Sequence, residues 1–362
     1  MKLDKVQISH FRNIDDLSLI ANQNLNVFLG ENGSGKSSIL EALHYLGFAR
    51  SFRTSKHKNV IKHDELGFTV FCSTVLQDGI QQKFGISRFS NDKCVVNIDG
   101  QKSKRATDLA SYLPIQIFTP QSSDMLLGAP KLRRRYLDWL LFHVEQSFNL
   151  DFQVFSKGLR HLNSLYKRDQ QEQSLDYWTG LLSEKGQIIS DKRERLLSEH
   201  LIQLINANLA DFLPEFSFEI SYYRGWEKGC SLADAILKNR QRDQRNGFLS
   251  VGPHKADLRI KTQGVNAHEI LSRGQLRMLV AAMQLAQTQY LHEQTAKTSI
   301  FLLDDVGAEL DEEKRKVFIS RLNTSDTQLF VTAIDVKQLE FLENYNDKKV
   351  FHVEHGQVRE EI

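Results

Sequence analysis

Apolar positions along this chain switch between a period of two and a period near 3.6, and the switches mark its elements. From Leu3 to Phe11 apolar and polar residues alternate (Leu3, Val6, Ile8, Phe11), then give way to Arg12-Asn13, which predicts a strand and a turn. Leu25 to Leu29 predicts a short apolar strand that leads straight into a glycine-rich loop, and Ile39 to Leu46 continues as a helix. Phe68-Val70-Cys72, Phe84-Ile86 and Val95-Val96-Ile98 alternate again, separated by Gln77-Asp78-Gly79 and Ser90-Asn91-Asp92, as in an antiparallel meander. Beyond Pro120 and Pro130 the pattern turns helical. One stripe runs over 131–166 (Leu137, Leu140, Val144, Phe148, Phe155, Leu162, Tyr166), and a second runs through Leu182, Ile189, Leu196, Leu201 and Leu209 to stop at Pro214. The polar stretch Lys167 to Ser174 separates them, and 238–246 (KNRQRDQRN) reads as a charged linker. Ser299–Leu303 and Leu329–Val331 are apolar runs of the kind buried in a parallel sheet.

These elements predict an α/β chain in two parts: a head formed by 1–119 and 247–362, and a helical lobe or arm, 120–246, inserted in it. A length of 362 residues is enough for that, and a composition of 41% hydrophobic and 25% charged residues is ordinary for a globular protein. Net charge is only +2, so any nucleic-acid face has to be a local one. Cys72, Cys94 and Cys230 form no CxxC pair, which argues against a disulfide framework or zinc site. No apolar run reaches the length of a membrane span and the N-terminus has no signal-peptide core, so the expected location is cytoplasmic, with no membrane partner.

Three segments carry chemistry. Gly30-Glu31-Asn32-Gly33-Ser34-Gly35-Lys36-Ser37, followed by Ser38, fits G-x-x-x-x-G-K-[ST] between an apolar strand and a helix. In that context backbone N–H groups and the helix N-terminus wrap a phosphate, Lys36 reaches the β- and γ-phosphates, and the Ser37 hydroxyl ligates Mg²⁺. Ile300-Phe301-Leu302-Leu303-Asp304-Asp305 is a buried strand ending in carboxylates. Asp304 is the expected Mg²⁺ holder and Asp305 the group that orients or deprotonates water. The absence of an N-K-x-D tetrad argues against a GTPase. Leu271-Ser272-Arg273-Gly274-Gln275 opens a strongly helical run. Ser272 and Gln275 alone would make a capping box.

Taken with the other two motifs, Leu271–Gln275 resembles the L-S-G-G-Q signature of ABC ATPases, the class of this P-loop head: a mixed sheet with flanking helices and an antiparallel β meander. That resemblance implies that Ser272, Arg273, Gly274 and Gln275 meet the γ-phosphate of ATP held by a second copy. It also implies a D-loop at Ala308–Asp311 and a Q-loop glutamine at Gln121. One departure is visible. Where many ABC ATPases carry a histidine after the last core strand, this chain has Thr332, leaving open either γ-phosphate sensing by Thr332 or slow hydrolysis.

Further segments narrow the likeness. Leu3 to Asn13, Ser51-Phe52-Arg53-Thr54, Gly128-Ala129-Pro130 with Arg133-Arg134-Arg135 and Leu137-Asp138-Trp139, and Val251-Gly252-Pro253-His254-Lys255-Ala256-Asp257-Leu258 resemble the RecF family, in the family's order and over nearly the whole chain. The resemblance implies a weak, ATP- and Mg²⁺-dependent ATPase that dimerises on ATP and binds DNA at gaps or single-strand/double-strand junctions. It further implies work with RecR and RecO in loading recombinase onto SSB-coated strands, in repair, replication and SOS induction. A soluble ABC subunit driving a membrane or protein-remodelling partner is the alternative. The residues themselves supply basic clusters as candidate DNA contacts: Lys102, Lys104 and Arg105, and Arg133, Arg134 and Arg135, the last three equally able to pair with acids of the lobe. Further clusters lie at Arg50, Arg53, Lys56 and Lys58, and at Arg240, Arg242 and Arg245.

Overall fold

The computed structural model describes residues 2–75, 80–103, 105–167, 172–305, 312–335 and 347–361. Contacts divide the chain into a first unit, Met1–Ser122 with Leu291–Ile362, and a second, Ser123–Tyr290. The strands in chain order are β1 (Lys2–Phe11), β2 (Ile14–Ile20), β3 (Leu25–Leu29), β4 (Gly67–Val75), β5 (Gln81–Phe89), β6 (Cys94–Ile98), β7 (Gln101–Ser103), β8 (Ile115–Phe118), β9 (Phe218–Tyr223), β10 (Asp257–Thr262), β11 (Val265–Asn266), β12 (Ile300–Leu303), β13 (Gln328–Ala333), β14 (Lys348–Glu354) and β15 (Gln357–Glu360).

The first unit holds two sheets. One is the expected antiparallel meander, in the order β2-β1-β4-β5-β6-β7. The other runs β15-β14-β3-β13-β12-β8, parallel from β14 to β8, with β15 antiparallel at its edge. β3, β12 and β13 are buried along their whole length, as continuous apolar runs require when both faces of a sheet are covered. The helix Lys36–Phe48 shares one apolar core with both sheets: Ile39, Leu40 and Leu46 pack with Val6, Ile8 and Phe68 of the meander and with Phe28, Ile300 and Phe330 of the parallel sheet. Because β3, β12, β13 and β8 run parallel, the loops leaving them open on the same sheet edge, where ligands bind in such folds.

The second unit is mainly helical. It holds the helices Pro130–Val144, Phe148–Lys167, Glu172–Leu196, Ile202–Phe212 and Leu232–Asn246, most of Arg273–Thr295, and a small sheet, β11-β10-β9. The first predicted stripe is broken: Glu145 adopts an extended conformation and ends one helix before Phe148 starts the next. The second is continuous to Phe212 through a π turn at Leu197–Leu201. The charged linker expected at 238–246 is instead the C-terminal half of a helix. Ser231 caps it by accepting from Asp234 N, Leu232, Ala235 and Ile236 anchor it, and Gly247 ends it at φ 73°. Charge along 238–246 hid a helix whose apolar anchor lies one turn upstream. The turn expected at Gln77-Asp78-Gly79, together with Lys104 and Ala308–Asp311, lies outside the described residues.

Candidate functional site: a phosphate loop facing paired carboxylates

β3 delivers the chain to Gly30, where a side chain is impossible: a Cβ would sit 2.2 Å from the carbonyl oxygen of Val353. The loop is held from outside by two groups that share one carbonyl. Gly356 N donates to Ser34 O at 2.7 Å and Asn13 Nδ2 donates to it at 3.2 Å, while Ser38 Oγ donates to Asn13 Oδ1 at 2.9 Å. Turn β1–β2 and hairpin β14–β15 therefore fix the loop's shape. Lys36 lies across the loop, its Nζ donating to the carbonyls of Gly30 and Glu31 at 2.6 and 2.8 Å. Burial lowers its ammonium pKa, while Asp305 and Asp304 act in the opposite direction.

Across the sheet edge, the Ser37 hydroxyl donates to Asp304 Oδ1 at 2.9 Å. β13 lies between β3 and β12, which puts Thr332 beside both carboxylates. Its hydroxyl donates to Asp304 Oδ1 at 3.0 Å and accepts from Asp305 N at 2.9 Å. Asp304 is only 9% exposed, and burial raises its pKa against the hydrogen bonds from Ser37 and Thr332. Asp305 takes φ 53°, a left-handed conformation uncommon for a non-glycine residue. Asn32, Gly33, Gly35, Lys36, Ser37, Ser38, Asp304, Asp305 and Thr332 line one cavity of about 550 Å³.

Arg12 and Arg53 line the same cavity, and their arrangement was not read from sequence. Both are held by Glu41, a fully buried carboxylate on the helix after the loop. Arg12 donates to it through Nε and Nη2 at 3.0 and 2.8 Å, Arg53 Nη1 lies 3.7 Å away, and Ser51 Oγ also donates to it. The legible signal was the one acid of this helix, flanked by Ile39, Leu40, Ala42 and Leu43, since a buried carboxylate needs a partner.

The remaining predicted residues are placed as follows. Gln121 lies in the turn after β8, exposed, and is not among the residues lining the cavity. Ser272 and Gln275 form the capping box: Ser272 N donates to Gln275 Oε1 at 2.9 Å and Gln275 N to Ser272 Oγ at 3.3 Å. Ser272, Arg273 and Gly274 are exposed. Lys102 and Arg105 are exposed as well. Arg133 forks onto Asp257, and Arg134 Nη1 donates to Ala256 O at 2.7 Å, so both guanidiniums bind within the second unit; Arg135 is half-buried. His352, Val353 and Glu354 lie on β14, with Val353 buried and its neighbours exposed.

The donor set suits a nucleoside triphosphate with a hard cation. Ser34 Oγ is buried with no partner among the described residues, and Ser37 with Asp304 offers the oxygen ligands that Mg²⁺ takes. The fold and site define the class: a P-loop ATPase head of the ABC/SMC type. Residues 2–359 match the family model described as RecF/RecN/SMC N terminal domain. The chain is 58% identical over 364 residues to a "DNA replication and repair protein RecF" of Pseudoalteromonas atlantica, covering all of both, and 37% identical to one of Shewanella sediminis, covering 99% of each. A solved structure described as the recombination mediator protein RecF-ATP in the RecFOR pathway superposes with a TM-score of 0.89 at 26% identity, over 100% of this chain and 98% of that one. An Smc head shares the fold with a TM-score of 0.60 at 14% identity, over 100% of this chain and 97% of that one. The chain belongs to the RecF family.

Proposed function

We propose that the chain is a cytoplasmic, ATP-dependent DNA clamp of recombinational repair whose active site is completed by a second copy. ATP binds at Gly30–Ser38, with Lys36 on its β- and γ-phosphates. Mg²⁺ held by Ser37 and Asp304 would neutralise phosphate charge, and Asp305, with Gln121 from the adjoining turn, would orient the attacking water. Ser272 and Gly274 of the partner copy cap the γ-phosphate. Hydrolysis is slow, because Thr332 stands where a histidine would act as sensor. DNA at gaps and strand junctions is gripped in the closed dimer, and RecR and RecO join it there to help place recombinase on SSB-coated single strands. The ATPase head is assigned to 1–119 and 247–362 and the helical arm to 120–246; contacts group 123–246 of that arm with 247–290 of the head in the second unit.

One observation carries the dimer: among the described residues, nothing packed against Gly274 calls for a glycine. It sits in the first turn of Arg273–Thr295, exposed, and a Cβ there would meet nothing closer than Ser272 Oγ at 4.0 Å. Glycine weakens a helix by about 0.5–1 kcal/mol relative to alanine, so its presence fits a close approach from outside. The capping box also leaves a positive helix end open to an anion. Sedimentation with ATP tests the reading. Wild type should dimerise, Lys36→Met should neither bind ATP nor dimerise, and Ser272→Arg should bind ATP yet stay monomeric. A Ser272→Arg protein that dimerises with ATP refutes it.

A further inference from the structure

We propose that the C-terminal end of the helix Leu232–Asn246 and the loop after it form a site for single-stranded nucleic acid, with Phe248 as a stacking platform for one base. The inference rests on the DNA-binding reading above and adds where an unpaired strand would lie. Phe248 is 43% exposed, and Lys255 Nζ lies over its ring, 5.2 Å from the centroid. Three further cations stand beside the residues that flank Phe248. The stem of Lys167 passes so close to Gly247 that a Cβ there would come within 3.0 Å of its Cγ. Arg242 Nη2 reaches Ser250 Oγ at 2.5 Å, and Arg245 is exposed at the helix end. Asp243 beside them is fully buried, with Oδ2 accepting from Ser250 N at 3.0 Å and Oδ1 3.8 Å from Arg242 Nε, so it offsets part of the Arg242 charge only.

The loop under Phe248 is firmly fixed. Leu249 N donates to Asn163 Oδ1 at 2.9 Å, His254 Nε2 pairs with Leu249 O at 2.9 Å, and Arg193, itself 2% exposed, donates to Pro253 O at 2.8 Å. Such anchoring removes most of the entropy cost of ordering the loop on a ligand. An exposed aromatic ring with Lys255 over it, and with Lys167, Arg242 and Arg245 beside its chain neighbours, matches the chemistry of an unpaired strand, phosphates on the cations and a base on the ring. A duplex keeps its bases stacked on one another and has none to offer Phe248.

Fluorescence anisotropy of the full-length protein with ATP and Mg²⁺, on a labelled oligothymidylate and on a blunt duplex of equal length, tests this, each titrated over a salt series. Phe248→Ala should weaken single-strand binding by roughly tenfold and leave duplex binding as in wild type. Phe248→Tyr should restore it. Lys255→Gln with Arg245→Gln should reduce the single-strand salt slope by about 1.4, the equivalent of two phosphate contacts. The site is overturned if Phe248→Ala binds single strands like wild type, or loses single-strand and duplex binding equally. Wild type that binds the duplex alone removes this site and leaves the clamp reading standing; wild type that binds neither removes both. Phe248 is on the surface, so an unchanged thermal melt will show that the variants fold.

Discussion

Arg133 Nε and Nη2 donate to the two carboxylate oxygens of Asp257 at 2.8 and 3.1 Å, and Nη1 donates to the carbonyls of Leu126 and Gly128. A second fork lies beside it: Arg193 donates to both oxygens of Asp138 at 2.7 and 2.9 Å and to Pro253 O. Arg133-Arg134-Arg135-Tyr136-Leu137-Asp138 and Gly252-Pro253-His254-Lys255-Ala256-Asp257 are thus one polar interlock within the second unit. Their arginines hold the loop that carries Lys255.

Breaking that interlock should cost stability rather than DNA affinity. Arg133→Ala leaves the Asp257 carboxylate, 20% exposed, without its fork, and should destabilise the protein by about 2–3 kcal/mol. Chemical denaturation will measure the loss. At temperatures where the variant is folded its DNA titration should superpose on wild type, and a weakened titration there would return Arg133 to the DNA contacts.

Thr332 should matter for turnover more than for nucleotide binding. Thr332→Val keeps the shape but removes a donor to Asp304 and an acceptor for Asp305 N. We expect ATP hydrolysis to fall on the order of tenfold with ATP affinity little changed. Phosphate release and equilibrium nucleotide binding separate the two quantities, and an unchanged hydrolysis rate would remove Thr332 from the chemistry.

The buried Asp304 makes a pH-dependent prediction. Burial raises its folded-state pKa above the ordinary 3.8, so folding favours the protonated carboxyl. That stabilisation is fully present below 3.8 and is lost as pH rises through the folded value, leaving a destabilising charge at neutral pH. Asp304→Asn should therefore melt higher than wild type at pH 7 without nucleotide, while losing hydrolysis. The difference in melting temperature should shrink as pH falls toward 3.8. A gap that is constant across that range would show that titration of Asp304 has no part in it.

Gly274→Ala separates fold from assembly. The added methyl enters open space on an exposed first turn, so the lone chain should gain about 0.5–1 kcal/mol. If another copy approaches that backbone closely, ATP-driven dimerisation should weaken by at least about tenfold, a clash worth some 1.4 kcal/mol. Wild-type dimerisation by this variant would argue that nothing packs against the turn.

Short-range features were legible in the chain. The phosphate loop, the strand ending in Asp304-Asp305 and the capping box at Ser272 each need only a few consecutive residues, and the geometry of neighbouring peptides dictates them. Alternation placed β4, β5 and β6, because the large apolar residues of a strand (Phe68, Val70 and Cys72; Phe84 and Ile86) fall on one face at every second position, even where small neighbours are buried too. The reading failed at 238–246, where helix formation was decided by anchors and a cap outside the charged run.

Which charges meet was decided only by tertiary structure. Glu41 holds Arg12 and Arg53, Asn13 holds Ser34 and Ser38, and Arg133 pairs with Asp257. An arginine's charge is the same wherever it stands, and a carboxylate more than a hundred residues away exerts no local pattern on it. Burial makes the selection, because a charge taken from water must find its partner in whatever the fold brings within reach. Local sequence therefore specified the chemical groups of the phosphate site, and the folded chain decided which arginines face the cavity and which lock the interior.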